Sequence, residues 1–137
     1  MRTTFTRRKF LTACSLAVAT SAVPKSVAWG SMRTPHPKPR AGITGANVLA
    51  KADLKDKPEL VALYDSVRLI PQIMDGIRCN CGCGNPPELY SLLSCYEKSG
   101  MARECVVCQG QGKLAVRLHK EGKTLEQIRV AIDAKFG

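Results

Sequence analysis

Apolar residues recur at helical spacing in several stretches of the chain and alternate like a strand in none. Leu60, Leu63, Tyr64 and Val67 stand at i, i+3, i+4 and i+7, the stripe of an amphipathic helix. Asp56 as cap, Pro58 in the first turn and Glu59 three residues after the cap mark its start. Pro71 disfavours helical geometry at Ile70, so this helix ends or kinks there. Ile73, Met74 and Ile77 then lead into a run of cysteines. Asn85-Pro86-Pro87-Glu88 opens a second predicted helix, with Leu89, Leu92, Leu93 and Tyr96 on one face and Gly100 as its stop. A third is predicted from near Ala102 to His119 or Lys120, with Val106, Val107, Leu114, Ala115 and Leu118 apolar and Gly122 as C-cap. Gly110 and Gly112 each weaken its middle by about 1 kcal/mol relative to alanine, which predicts a possible break. Thr124-Leu125-Glu126-Gln127 reads as a capping box for a last helix whose Leu125, Ile128, Ile132 and Phe136 face the core. The expected fold is all-α, a small bundle of three or four short helices around a cysteine-rich loop.

The first residues carry a different pattern. Arg7-Arg8-Lys9-Phe10-Leu11 followed by the weakly apolar Thr12 to Ala19 is the twin-arginine arrangement of an export signal. Ser26-Val27-Ala28 offers small residues where a signal peptidase reads, which predicts a signal over 1–28. The apolar run is shorter than the roughly 20 residues a span requires, so no stable membrane span is expected in the mature protein. Leu11-Thr12-Ala13-Cys14 also reads as a lipoprotein signal with Cys14 acylated, but it follows the arginine pair too closely to leave an apolar region ahead of the cysteine, so lipid anchoring is the minor reading. Residues 29–45 are rich in proline and glycine, and 29–52 is expected to be a flexible linker ahead of a cysteine-rich helical domain over 53–137. The expected location is periplasmic or otherwise extracytoplasmic.

Loss of the signal would remove Arg2, Arg7, Arg8, Lys9 and Lys25, reducing the formal charge from +10 to +5. The remaining basic residues are not interleaved with aromatics, and nucleic acid is not an expected partner. The same cleavage takes Cys14 and leaves Cys79, Cys81, Cys83, Cys95, Cys105 and Cys108. An even number of cysteines in a domain this small points to cross-links or metal, because a core of this size is marginal alone.

Cys79-Asn80-Cys81-Gly82-Cys83-Gly84 places three thiols within five residues, with glycines that let the backbone turn around whatever the sulfurs hold. Cys105 and Cys108 stand at i and i+3, on one face of a helix start, where unpaired N–H groups favour thiolate. Cys95 is within reach through the Gly100 turn. Three functions fit these sulfurs. All six cysteines could ligate Cu(I) or Zn(II), ions that sulfur-only sites select. They could form three structural disulfides beneath a partner-binding surface, the usual arrangement in small exported domains. Or Cys105 and Cys108 could cycle as a thiol–disulfide pair. The twin-arginine route carries proteins folded in a reducing compartment, and a disulfide between cysteines two apart is strained. Both considerations favour metal. His119 lies roughly 16 Å along the helix from Cys108, too far to share an ion, and fits better as a solvated residue at the helix C-terminus. Cys105-Val106-Val107-Cys108-Gln109 lacks the histidine of a c-type haem attachment, and the cysteine spacings do not match ferredoxins. No Ser/His/Asp set, phosphate loop or carboxylate pair stands out, so the only enzymatic reading is a thiol–disulfide oxidoreductase.

From Leu69 onward the chain resembles the PCYCGC-motif family of exported bacterial proteins. The resemblance lies in Cys79-Asn80-Cys81-Gly82-Cys83, Cys95-Tyr96, Cys105-Val106-Val107-Cys108, and the ending Glu121 to Arg129 with Ile132 to Gly137. Arg78 stands where that family has proline, and Asn80 where it has an aromatic. The resemblance implies an extracytoplasmic cysteine protein. Cys105 to Gln109 and the ending are also similar to the small helical thiol proteins of cytochrome c maturation, which lack a Cys-x-Cys-x-Cys segment. The expectation is an exported soft-metal protein, a carrier or sequestering protein for copper or zinc. Its expected partners are the metal ion and an exported metalloenzyme or thiol protein.

Overall fold

A computed structural model describes residues 35–82 and 89–137. The expected signal over 1–28 with Cys14, the first linker residues, Cys83 and the Asn85 to Glu88 helix start lie outside the described residues. Within them the chain is helical, in the order α1 (Val61–Arg68), α2 (Pro71–Asp75), α3 (Val106–Lys120) and α4 (Leu125–Phe136), with short 3₁₀ turns at Lys51–Leu54, Pro58–Leu60 and Ser94–Tyr96. The only β feature among the described residues is an isolated bridge between Val48 and Glu97. None of the described helices is long and apolar enough to cross a membrane.

α1 buries the expected stripe of Leu60, Leu63, Tyr64 and Val67. Its start differs from the expectation. Pro58–Leu60 forms a 3₁₀ turn capped by the backbone at Lys57, and Asp56 instead accepts from Arg103 Nη2 at 2.6 Å. Pro71 ends α1 as expected and begins α2, because proline at a first helical position gives up an N–H that would lack a partner anyway.

The expected second helix is absent from residues 89–93, and only Ser94–Tyr96 forms a 3₁₀ turn. The amides that helix would have used are taken by distant carbonyls. Leu92 N–H donates to Ile77 O at 2.7 Å and Leu93 N–H to Met74 O at 3.2 Å. Ser91 to Tyr96 are buried on every side rather than on one face, so the helical spacing there reflects complete burial.

α3 begins at Val106, four residues later than expected, and runs through Gly110 and Gly112 without a break. Both glycines are packing positions. A side chain on Gly112 would overlap the Tyr96 hydroxyl, and one on Gly110 would press on the Phe136 ring. The buried face of α3 carries Cys108, Gln111, Gly112, Leu114 and Ala115, whereas Val106 is 77% exposed. Gly122, at φ 77°, supplies the left-handed residue that turns the chain towards α4. α4 starts at the expected capping box. Thr124 Oγ1 accepts from Gln127 N–H at 3.3 Å while Gln127 Oε1 accepts from Thr124 N–H at 3.0 Å. α3 packs against α1, α2 and α4 and forms the centre of the bundle. Tyr64 and Tyr96 meet edge to face at 4.8 Å inside it, a favoured aromatic geometry.

The expected flexible linker differs from what the structure shows over 36–49, which lies against the helices. Arg129 Nη2 donates to Pro37 O at 2.7 Å, Tyr90 Oη to Lys38 O at 2.7 Å, and Arg68 Nη2 to Leu49 O at 2.7 Å. Arg40 anchors the stretch on Asp75, whose side chain is fully buried. Its backbone N–H and Nη2 reach the carboxylate at 2.8 and 2.7 Å, and Ser91 Oγ donates to the same group at 2.8 Å. Prolines without apolar period predict an extended chain, and an extended chain with open carbonyls can be pinned by arginines from the bundle.

Burial alone would raise the Asp75 carboxyl, but hydrogen bonds from the Arg40 side chain and backbone and from Ser91 outweigh it and hold the group below the ordinary carboxylate range. Asp75→Ala should therefore cost about 2–3 kcal/mol, since it strands the Arg40 amide and Ser91 while the half-exposed guanidinium rehydrates. A carboxylate whose folded pKa is depressed stabilises fully above its unfolded pKa of about 3.9, and that stability is lost as pH falls through the lower folded value. Urea unfolding from pH 7 down to pH 2 checks this. The gap between wild type and Asp75→Ala should be full at neutral pH and shrink only on the acid limb.

Candidate metal centre

The cysteine loop leaves the core at Ile77, which is fully buried, and is fixed residue by residue as it emerges. Arg78 N–H donates to His36 Nδ1 at 3.0 Å, so the ring proton of a neutral His36 lies on Nε2, which faces Asp133 Oδ2 at 3.0 Å. Arg78 Nη2 and Asn80 Nδ2 both donate to Asp133 Oδ1 at 3.1 Å, and Arg78 Nε donates to Asn80 Oδ1 at 2.8 Å. Burial opposes ionisation of Asp133, yet the Asn80 and His36 hydrogen bonds and the neighbouring charges keep its carboxyl below the ordinary range. Arg78 and Asn80 thus tie the loop to α4.

The next contact comes from α3. Gln111, fully buried, accepts from Asn80 N–H through Oε1 at 3.2 Å, and its Nε2 approaches Cys79 Sγ at 4.0 Å. Gly82 follows Cys81 at φ 69°, a left-handed turn that glycine adopts without strain.

This scaffold brings Cys79 and Cys81 of the loop against Cys108 of α3, and the three sulfurs lie within 4.8 Å of one another. Cys79 Sγ and Cys108 Sγ are 3.4 Å apart, a non-bonded contact between thiols. Cys95, buried beneath them on the Ser94–Tyr96 turn, interacts with both Cys79 and Cys108, and its own thiol reaches Ser91 O at 3.9 Å. Tyr96 Oη holds the Cys108 carbonyl at 2.8 Å, which fixes the first turn of α3 from behind. Cys105 is the N-cap of α3, half-buried, and stands beside the group.

The sulfurs share charge unevenly. Hydrogen bonds from Cys108 and then Cys95 hold the Cys79 thiol well below the ordinary range, with burial opposing. Cys108 is pushed up, first by its hydrogen bond to Cys79, then by Cys95 and by burial. At Cys95 the contact with Cys108 pulls downward, but the bond to Cys79 and burial outweigh it and raise the thiol. The mutual hydrogen bonds thus favour negative charge on Cys79 and protons on Cys95 and Cys108. Cys105 is lowered despite burial, because the N–H groups of Cys108 and Val107 and the Cys108 thiol point at it.

Among the six cysteines expected to act, Cys79, Cys81 and Cys108 form the converging group, Cys95 and Cys105 adjoin it, and Cys83 lies outside the described residues. His119 is exposed in the last turn of α3, as expected. Sequence reasoning missed Gln111, His36 and Asp133. The one cue for Gln111 is its place at i+3 from Cys108, on the same helical face. His36 and Asp133 are 97 residues apart and share no local pattern. Three sulfurs at these separations can hold a metal ion. Compared with protein-family models, curated proteins and solved structures, the chain matches none.

Proposed function

We propose that the protein binds one soft d¹⁰ ion, Cu(I) or Zn(II), through Cys79, Cys81 and Cys108 with Cys95 as the adjoining fourth sulfur, and that it serves as an exported carrier or sequestering protein for that ion. The convergence of three sulfurs within 4.8 Å carries the reading. Around a tetrahedral ion with bonds of about 2.3 Å, sulfurs sit roughly 3.8 Å apart, so closing the group takes shifts of about an ångström. The surroundings favour a sulfur-loving ion, since Cys95 and Cys108 are buried and the polar groups of the loop, on Arg78 and Asn80, are taken up by Asp133, His36 and Gln111. The twin-arginine pattern and the resemblance to an exported cysteine family support the location.

Metal uptake is the direct test. The purified chain, reduced under anaerobic conditions and titrated with Cu(I) or Zn(II), should take up one ion at this site with its thiols intact by native mass spectrometry. Because Cys108 and Cys95 hold their protons in the metal-free protein, uptake should release protons, and apparent affinity should weaken as pH falls. A metal-free protein from the periplasm, light by two hydrogens for every bridged pair of cysteines, would instead establish the disulfide reading.

A thiol–disulfide function has its own support in one observation. Cys105 caps α3 with two backbone N–H groups aimed at its sulfur, and the buried Cys108 is the adjoining partner. In that reading Cys105→Ser or Cys108→Ser should trap a mixed disulfide with a partner protein.

A further inference from the structure

Cys105 has no place in the converging group, yet the fold sets it against that group. It is the N-cap of α3, three residues before Cys108, and its sulfur contacts the Cys108 thiol and amide. The two differ in access. Cys108 is fully buried with Cys95 beneath it, whereas Cys105 is half-buried and followed by Val106, which is 77% exposed. A thiolate-bound ion approaching from solvent along the start of α3 would meet Cys105 before Cys108. Cys79 and Cys81 are half-buried as well, so what sets Cys105 apart is its contact with the buried Cys108. Tyr96 holds the Cys108 carbonyl at the start of α3, and Gln111 accepts from the Asn80 amide of the loop.

We propose that Cys105 is the docking ligand through which the site receives its ion from an incoming thiolate complex, and that it passes the ion to Cys108 and Cys79 without remaining in the final coordination set. This rests on the metal-binding reading above. The step is ligand exchange and involves no change in oxidation state. The Cys105 sulfur bonds to the ion as one donor thiolate leaves. Cys108 then bonds to the ion as a second donor thiolate leaves, and Cys79 bonds as the bond from Cys105 to the ion breaks, which returns Cys105 to its starting state. Each protein thiol that joins gives up one proton, and each departing donor thiolate takes one up. The incoming chemistry is a soft ion on one or more exposed thiolates. Oxygen-ligated ions would gain nothing from a sulfur at this position.

The test uses Cu(I) supplied as its glutathione complex to the full chain, with uptake followed in a stopped-flow instrument and the end point by native mass spectrometry. Cys105→Ser is suited to it because serine is a favoured N-cap and should preserve the start of α3. The expected result is uptake slowed roughly tenfold or more, with the final stoichiometry and equilibrium affinity close to wild type. Cys95→Ser, which removes a sulfur beneath the group, should show the converse, weaker binding at an approach rate near wild type. Uptake by Cys105→Ser at the wild-type rate would overturn the proposal while leaving the metal site standing. So would loss of the bound ion in Cys105→Ser, which would make Cys105 a resident ligand. A wild-type chain that takes up neither Cu(I) nor Zn(II) would remove the metal reading and this inference with it.

Discussion

Replacing Cys108 with serine is expected to weaken binding of Cu(I) or Zn(II) by on the order of a hundredfold. Structural sulfur-rich sites bind with about 10–16 kcal/mol shared among three or four ligands, or roughly 3 kcal/mol each, and each 1.4 kcal/mol is a factor of ten. Cys108 is the strongest place to lose a ligand because the others depend on it. Its sulfur is 3.4 Å from Cys79, it adjoins Cys95, and its backbone carbonyl is held by Tyr96. A hydroxyl there is shorter and harder than a thiol and cannot bridge the loop and α3 around a soft ion. Competition against a coloured chelator measures the change, and circular dichroism of the metal-free variant confirms that α3 persists. An unchanged affinity in a folded Cys108→Ser protein would remove Cys108 from the ligand set and, with it, the shared site.

Gly112→Ala should be strongly destabilising. The new carbon would overlap the Tyr96 hydroxyl, whose ring is fully buried against Tyr64 and whose bond to the Cys108 carbonyl leaves it no room to yield. Overpacking costs about 1–3 kcal/mol, and a broken buried hydrogen bond about 1–3 kcal/mol more. Alanine's better helix propensity returns about 1 kcal/mol. The expected net loss is roughly 1–5 kcal/mol, with Tm falling by about 4–8 °C for each kcal/mol in a domain of this size. Thermal unfolding of the metal-free chain checks the stability. If Gly112→Ala unfolds at the wild-type temperature, then Tyr96 is not wedged against α3 and does not set the Cys108 turn.

The helical class was legible because three of the predicted helices carry conventional signals. Leu60 to Val67 repeats at helical spacing, Thr124 to Gln127 spells a capping box, and Gly122 marks a stop. What misled was burial without amphipathicity. Leu89 to Tyr96 has helical spacing, yet its amides pair with Ile77 and Met74 across the fold, a tertiary outcome that no local pattern encodes. In α3 the inward face carries Gln111 and Gly112, residues that score as polar or helix-breaking in the sequence. Their fitness comes from Asn80 and Tyr96, distant partners that only the fold supplies. The contacts that hold Pro37, Lys38 and Arg40 against the bundle were not legible for the same reason, since they come from Arg129, Tyr90 and Asp75. The cysteine pattern was informative because three thiols so close together have few uses, and it put forward all six cysteines, of which the structure brings Cys79, Cys81 and Cys108 together. It could not rank the six, because rank is set by depth and by the direction of each sulfur.

The carboxylate of Asp133 gathers His36 from the leading stretch, Arg78 and Asn80 from the ligand loop, and its own helix near the end of the chain. The loop geometry seen here therefore draws on α4 as well as on α3. Any occupant of the sulfurs in this arrangement reports that the last helix has closed on the loop, a checkpoint written into a single carboxylate.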